Sequence, residues 1–304
     1  MRVPPSGEQI ELRHGDHRVT VVEVGGGVRA YERDGRRVLD PYDVHAMADG
    51  AHGATLVPWP NRLGDGVYTF DGEEHHLALT EPDKRNAIHG LLRWVPFRVR
   101  ERTDASVVLA ARVVPQQGYP FSLDVTVHYE LDDEGLAVTT TAVNTGDRPA
   151  PYGTGHHPYL SPGDGLVDDC DVQVTATTRV DTDDERQLPT GVVPVEGTPY
   201  DFRSPRRLGG LAVDYAFGGL VRDDAGRAWV RLTGPDGRTA SLWVDGSYHY
   251  LEVFTGDTLA PGRARHGLGA EPMTCPPDAF RSGQDVVRLE PGAAATARWG
   301  VRLD

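Results

Sequence analysis

Apolar and polar residues alternate with a period of two through most of the chain. In LDVTVHYEL (123–131), Val125, Val127 and Tyr129 share one face, while Thr126, His128 and Glu130 share the other. That is the pattern of a strand with one face buried. LAVTTTAV (136–143) follows across an Asp-Asp-Glu-Gly turn, which predicts an antiparallel pair. FRVRERT (97–103) and SVVLAARVV (106–114) predict a second pair. Asp-Gly punctuates three further stretches: Asp34-Gly35 in VRAYERDGRRVL (28–39), Asp71-Gly72 in VYTFDGEEHHLAL (67–79) and Asp236-Gly237 in WVRLTGPDGRTASLWV (229–244). Asp-Gly tolerates the positive φ of tight hairpin turns, so each predicts a hairpin. Helical periodicity is nearly absent, and the best short candidates lie at 41–48 and 205–211. Many short strands with regular turns predict an all-β fold, an antiparallel sandwich or barrel, as a single domain over 1–304. The sequence shows no dinucleotide-binding glycine pattern, no phosphate-binding P-loop, no fixed-period repeat and no low-complexity linker.

Composition narrows the function classes. The net charge of -14 argues against nucleic acid or an anionic membrane as partner, since either calls for a basic surface. No apolar run approaches the ~20 residues of a membrane helix. The N-terminal stretch MRVPPSGEQIELRHGDHR lacks the apolar centre of a secretory signal. These features predict a cytoplasmic protein. Cys170 and Cys275 have no CxxC spacing, so plain thiols are expected rather than a disulfide framework or a zinc site.

Four segments break the alternation and gather polar residues among Gly and Pro: 57–66 (VPWPNRLGDG), 85–94 (RNAIHGLLRW), 153–164 (GTGHHPYLSPGD) and 266–280 (HGLGAEPMTCPPDAF). Loops on a rigid scaffold are where sites usually sit. Arg62 is either a surface charge or a forked donor to sugar hydroxyls or a carboxylate. His89 precedes a glycine that permits close backbone approach. Trp59 and Trp94 are either core residues or platforms for the apolar face of a sugar. His156 and His157 adjoin Pro158, which disfavours a helical backbone before it. In an extended segment neighbouring side chains point to opposite faces. The two histidines therefore do not enter one cleft together, and chelation of one metal by both is disfavoured. Which of the two carries chemistry is left open by local physics, although Tyr159 shares a face with His157.

Five motifs in order, NRL (61–63), NAIHG (86–90), HHPYL (156–160), VDYAF (213–217) and EPMTCPPDAF (271–280), resemble those of the aldose 1-epimerase (galactose mutarotase-like) family. The resemblance implies a large antiparallel β-sandwich, often called a supersandwich, with a cleft for one monosaccharide. It puts Glu271 in the place of the general base and His157 in that of the general acid, with His89 as the second histidine. Arg62 and Asp214 fall at sugar-binding positions, and Asn61, Trp94 and Tyr159 are further candidates for substrate contact. It implies no metal and no organic cofactor, and a monomer or homodimer.

The chemistry suits these residue types. A base removes the anomeric hydroxyl proton while an acid protonates the ring oxygen. The ring opens, C1–C2 rotates, and reclosure gives the other anomer. A glutamate with an ordinary pKa of about 4.3 is ionised at neutral pH, and its charge would keep a nearby histidine protonated. Gly-His-His-Pro-Tyr-Leu departs from the galactose-pathway members, which carry Asn before the acid histidine and Tyr-Phe-Asn after it. Arg93, three residues after Gly90, is similar to an arginine in a sister group acting on hexose 6-phosphates, and Lys84, Arg85 and Arg93 are candidates to meet a phosphate. The alternatives are thus a hexose-6-phosphate mutarotase, a non-catalytic carbohydrate-binding sandwich, and a glycoside hydrolase, which normally needs two carboxylates.

Overall fold

The computed structural model describes residues 3–161 and 163–304. The hairpins close where the turn chemistry puts them. Val28–Arg33 pairs with Arg36–Leu39, Val67–Phe70 with Glu73–His76, and Ala228–Thr233 with Thr239–Val244, all antiparallel. Asp34 and Gly35 have φ of 51° and 69°, and Asp71 and Gly72 have 50° and 81°. Two successive positive φ values are the primed turn that matches strand twist. In the longer third loop only Gly237 is in the left-handed region.

Leu123–Asp132 pairs with Gly135–Asn144, and Leu123, Val125, Val127, Tyr129 and Leu131 are buried. Arg98–Arg102 pairs with Ser106–Val113 and is exposed along its length, because it ends its sheet. A charged edge is a poor template for further pairing. Neither helix candidate forms: 41–48 is irregular, and 205–211 contains the short strand Arg206–Arg207. Both stretches are too short to offset the cost of helix nucleation. No helix among the described residues is long and apolar enough to cross a membrane.

Most strands form a twelve-stranded and a nine-stranded antiparallel sheet, and the others form three two-stranded sheets. Ile10, Leu12 and Val21 from the larger sheet and Val107, Val125 and Leu242 from the smaller belong to one buried cluster. This is the sandwich the alternation implies.

The middle of the larger sheet positions the site. Tyr159–Leu160, Leu268–Met273, Tyr250–Phe254 and Asp214–Leu220 lie side by side in that order. Leu160, Leu268, Ala270, Leu251 and Val253 join the core. Their neighbours Tyr159, Glu271, Glu252 and Asp214 therefore project from the opposite face. Glu252 stands directly across from Glu271 in the ladder. All of Leu268–Met273 is buried, so this second face is covered too.

Candidate active site

The covering loops are held in unusual backbone conformations. Asn61 and His89 have φ of 56° and 65°, a region that few non-glycine residues adopt. Each locks the other. The His89 N–H donates to the Asn61 carbonyl at 3.0 Å, and the Asn61 N–H donates to His89 Nδ1 at 3.2 Å. Gly90 has φ of 69°, and a Cβ there would lie 2.2 Å from the Val57 carbonyl oxygen. Only glycine permits that approach, which lets Leu91 N–H bond the same oxygen at 2.7 Å. With Nδ1 accepting, the ring proton of neutral His89 is on Nε2.

The adjacent histidines part company as an extended backbone requires. His156 Nε2 is 2.7 Å from Thr140 Oγ1, and its ring centroid is 5.3 Å from that of Trp299. Both partners belong to the nine-stranded sheet. His157 faces the other way, with Nε2 3.1 Å from Glu271 Oε1. Its ring stacks on Tyr159 at 5.0 Å and meets the His89 ring edgewise at 5.2 Å. Tyr159 is itself stacked on His52 at 3.7 Å, and its hydroxyl donates to the Gly50 carbonyl at 2.8 Å.

Asn61, Arg62, His89, His157, Asp214 and Glu271 line one cavity of about 280 Å³. Arg62 is fixed by a two-pronged bond to Glu81, with Nε 3.0 Å and Nη2 3.2 Å from its oxygens. Its Nη2 lies 3.8 Å from Asp214 Oδ2. Asp214 also accepts from Gln187 Nε2, and Asn61 Nδ2 donates to Glu252 Oε2 at 3.3 Å. Tyr159 sits behind His157 rather than on the cavity wall. Trp94 is not on that wall either. It is 54% exposed and borders a neighbouring depression. Arg93 does line the cavity, whereas Lys84 and Arg85 do not. A larger depression, about 510 Å³, lies by Arg98, Arg112 and Asp124 on the edge of the smaller sheet. It lacks paired acid–base groups and is not a comparable site.

A cavity of monosaccharide size, with a buried carboxyl touching a buried imidazole, narrows the families that fit. The sequence pattern described as aldose 1-epimerase matches residues 8–301. The chain belongs to the aldose 1-epimerase family. It is 35% identical over 289 residues to the uncharacterized protein YihR of Escherichia coli, covering 94% of this chain and 90% of that one. It is 30% identical to human galactose mutarotase over 240 residues, 71% of this chain and 67% of that one. Among solved structures, a putative aldose 1-epimerase from Escherichia coli K12 superposes with a TM-score of 0.83 at 24% identity, covering 98% of this chain and 99% of that one. Membership makes the chain an isomerase of the mutarotase class.

In this aldose 1-epimerase, charge states differ from the expectation for isolated groups. Burial pushes Glu271 well above the usual carboxylate range, and Asp214 adds to this, while Arg62 and Arg93 oppose it. Burial pulls His157 well below an ordinary histidine, with His52 and Arg93 acting in the same sense. Desolvation thus outweighs the mutual support of carboxylate and imidazolium. Both shifts favour the uncharged forms, with a shared proton on the carboxyl side. His89 is likewise driven towards neutrality by burial, then by His157 and Arg93. Arg62 stays charged: burial works against it, but Asp214 and Glu81 more than compensate.

Two site groups escaped the sequence reading. Glu252 is an isolated acid in the apolar run YLEVF, which was a usable signal. Burial, then Asp214 and Glu271, pushes its pKa well above the usual carboxylate range, while Arg62 opposes this. Glu81 carried no local signal, because its role depends on Arg62 lying opposite it.

Proposed function

We propose that the protein interconverts the α and β anomers of an aldohexose by ring opening, bond rotation and reclosure. The 3.1 Å contact between His157 Nε2 and Glu271 Oε1 at the cavity carries this reading. O1 and O5 of a pyranose are bonded to the same carbon, so base and acid act from one wall, side by side. Glu271 takes the O1 proton as C1–O1 becomes a carbonyl. His157 gives a proton to O5 as the C1–O5 bond breaks. After rotation about C1–C2 the two exchange roles, and O5 adds to the other carbonyl face. The pair needs one proton in all, and the resting pair holds one. Passing it from carboxyl to imidazole across the 3.1 Å contact makes the reactive form. Glu271 Oε2 has no hydrogen-bond partner among the described residues, which leaves it ready to accept from a sugar hydroxyl. His89 offers Nε2–H, and Arg62, Asn61 and Asp214 hold ring hydroxyls.

Polarimetry on freshly dissolved α-D-glucose and α-D-galactose tests this. Anomer exchange should be accelerated by the protein. Glu271→Gln should lower kcat by ~10²–10⁴ while still binding sugar by calorimetry. Sugar binding with no acceleration in the unmodified protein would mean a carbohydrate-binding sandwich instead.

A further inference from the structure

Nε2 of His157 meets Glu271, but its Nδ1 is buried with no hydrogen-bond partner among the described residues. A reactive histidine usually has its ring oriented by a hydrogen bond at the other nitrogen. Here flat rings surround it instead. His157, Tyr159 and His52 form one stack, with 5.0 Å and 18° between the first two rings and 3.7 Å and 3° between the second two. The far end of the stack is pinned. His52 is buried, its Nδ1 is 3.2 Å from the Asp49 carbonyl oxygen, and its Nε2 is 3.2 Å from Asp40 Oδ2. Arg263 Nη2 lies 3.0 Å from the same carboxylate oxygen and 3.1 Å from Nε2, and its Nη1 donates to the Pro41 carbonyl at 2.8 Å. Nε2 is therefore held in either tautomer, donating to Asp40 or accepting from Arg263. The backbone ties the same segment to the acid: Gly53 N–H donates to the His157 carbonyl at 2.8 Å, and His157 N–H donates to the Ala54 carbonyl at 3.1 Å.

We infer that His52 is a positioning residue for the acid: pinned by Asp40 and Arg263, it holds the Tyr159 ring flat and so fixes the plane in which His157 presents Nε2. The inference rests on the mutarotase reading. His52 does not line the sugar cavity, and neither does Tyr159, so the effect reaches the substrate only through His157. Orientation matters because Nε2 must serve two partners in turn, Glu271 and the ring oxygen of the sugar. A ring free to turn about its Cβ–Cγ bond would miss both, and a misplacement of ~1 Å can cost ~10²-fold in rate. Burial alone does not fix the plane of a ring, whereas an offset parallel neighbour does. His52 also acts through charge. It disfavours the charged form of His157, in the same sense as Arg93 and Arg62, while Glu271 and the rings of Tyr159 and His89 are the other groups that face that imidazole. His52 itself is faced by Asp40, Asp49 and Arg263.

His52→Leu and His52→Phe make a matched pair for the test. Both remove the charge and the bond to Asp40, but only phenylalanine restores a flat ring against Tyr159. By polarimetry on glucose and galactose, His52→Leu should lower kcat by about 10–100-fold with KM changed by about threefold or less. His52→Phe should recover most of that loss. In both variants the acid limb of kcat/KM should move to higher pH, because a group that disfavours the charged form of His157 is gone. Equal kcat losses in the two variants, no loss in His52→Leu, or an acid limb that stays in place overturns the inference while leaving the mutarotase reading intact. Should His52→Leu fail to fold, Tyr159→Leu against Tyr159→Phe draws the same contrast from the middle ring. The leucine variant should then have a kcat about tenfold or more below the phenylalanine variant, and equal values overturn the inference. If the unmodified protein accelerates exchange of neither sugar, the mutarotase reading falls, and NMR judges the stack by itself. The His157 ring resonances should broaden in His52→Leu and not in His52→Phe, and unchanged lines in both remove the stack as well.

Discussion

His156 and His157 are neighbours in sequence, identical in chemistry and equally buried, yet they serve opposite faces of one sheet. His156 faces the interior of the sandwich, where Thr140 and Trp299 meet it and burial takes its pKa to about 3. His157 faces the cavity, where its partner is Glu271. Burial lowers both pKa values, so a perturbed histidine by itself marks nothing. The difference is the partner. A hydroxyl fixes a ring in place, whereas a second titratable group with a free oxygen can exchange a proton with it and with a ligand. The same division runs along Leu268–Met273, where Leu268 and Ala270 enter the core and Glu271 enters the cavity.

Replacing each histidine in turn is the most direct way to break this contrast. His157→Asn should lower kcat by ~10²–10⁴, the usual worth of a positioned proton-transfer group, with Tm little changed. His156→Leu should do the reverse. It leaves the buried Thr140 hydroxyl unpaired, a loss of about 1–3 kcal/mol, and should lower Tm by several degrees with kcat within about tenfold of the parent. Differential scanning calorimetry and polarimetry on the same preparations decide it. Equal kcat losses in the two variants would mean that the faces are not functionally separate.

How much of this was legible beforehand follows from the range of the physics involved. Turn chemistry is local, and the Asp-Gly hairpins were readable from a dozen residues each. Opposite orientation of the histidine pair was readable too, since it needs only Pro158 and an extended backbone. Which face was the interior was not, because that depends on Thr140 and Trp299 arriving from the other sheet. Glu81 and Glu252 matter only through register with Arg62, Asp214 and Glu271, which are separated from them by as much as most of the chain. Trp94 reads as a stacking platform in sequence, but its exposed ring lies outside the cavity. Charge state was the least accessible, since burial is a property of the whole fold. Two charged residues that stabilise one another in water are, once desolvated, both shifted towards their neutral forms.

That shift sharpens the comparison through pH. Only the form of the Glu271–His157 pair with one proton turns over, and the two limits of activity belong to the pair rather than to either residue. On the acid side, the second proton adds to a histidine whose pKa is lowered by burial. So kcat/KM should stay level down through pH 6.5, the ordinary histidine value, and fall only below it. On the alkaline side, the raised Glu271 pKa holds the shared proton well above the usual carboxylate range before activity declines. Polarimetry from pH 4 to 9 would show this as a broad plateau. An acid limb centred at 6.5 or higher would instead mean that Glu271 keeps His157 charged, as isolated groups would behave.

The smallest effect is the most diagnostic of which face stores stability. Glu271 has a raised pKa in the folded protein, so above the unfolded glutamate's pKa of about 4.3 the native chain keeps a proton that the unfolded chain releases. Stability from such a group is fully present below the unfolded glutamate's pKa of about 4.3 and is lost as pH rises through the folded value. At pH 8 the carboxyl is therefore a liability to the fold. Glutamine has nearly the same shape and nothing to titrate. Glu271→Gln should melt about 3 °C above the parent at pH 8, the shift that ~1 kcal/mol gives in a chain of this size, and the gap should close near pH 4. Functional sites commonly trade stability for activity in this way. A Glu271→Gln variant that melts several degrees below the parent at pH 8 would show that the carboxylate is charged and well paired in the native state. The cavity face would then be stabilised by the same groups that react, and the contrast with His156 would disappear.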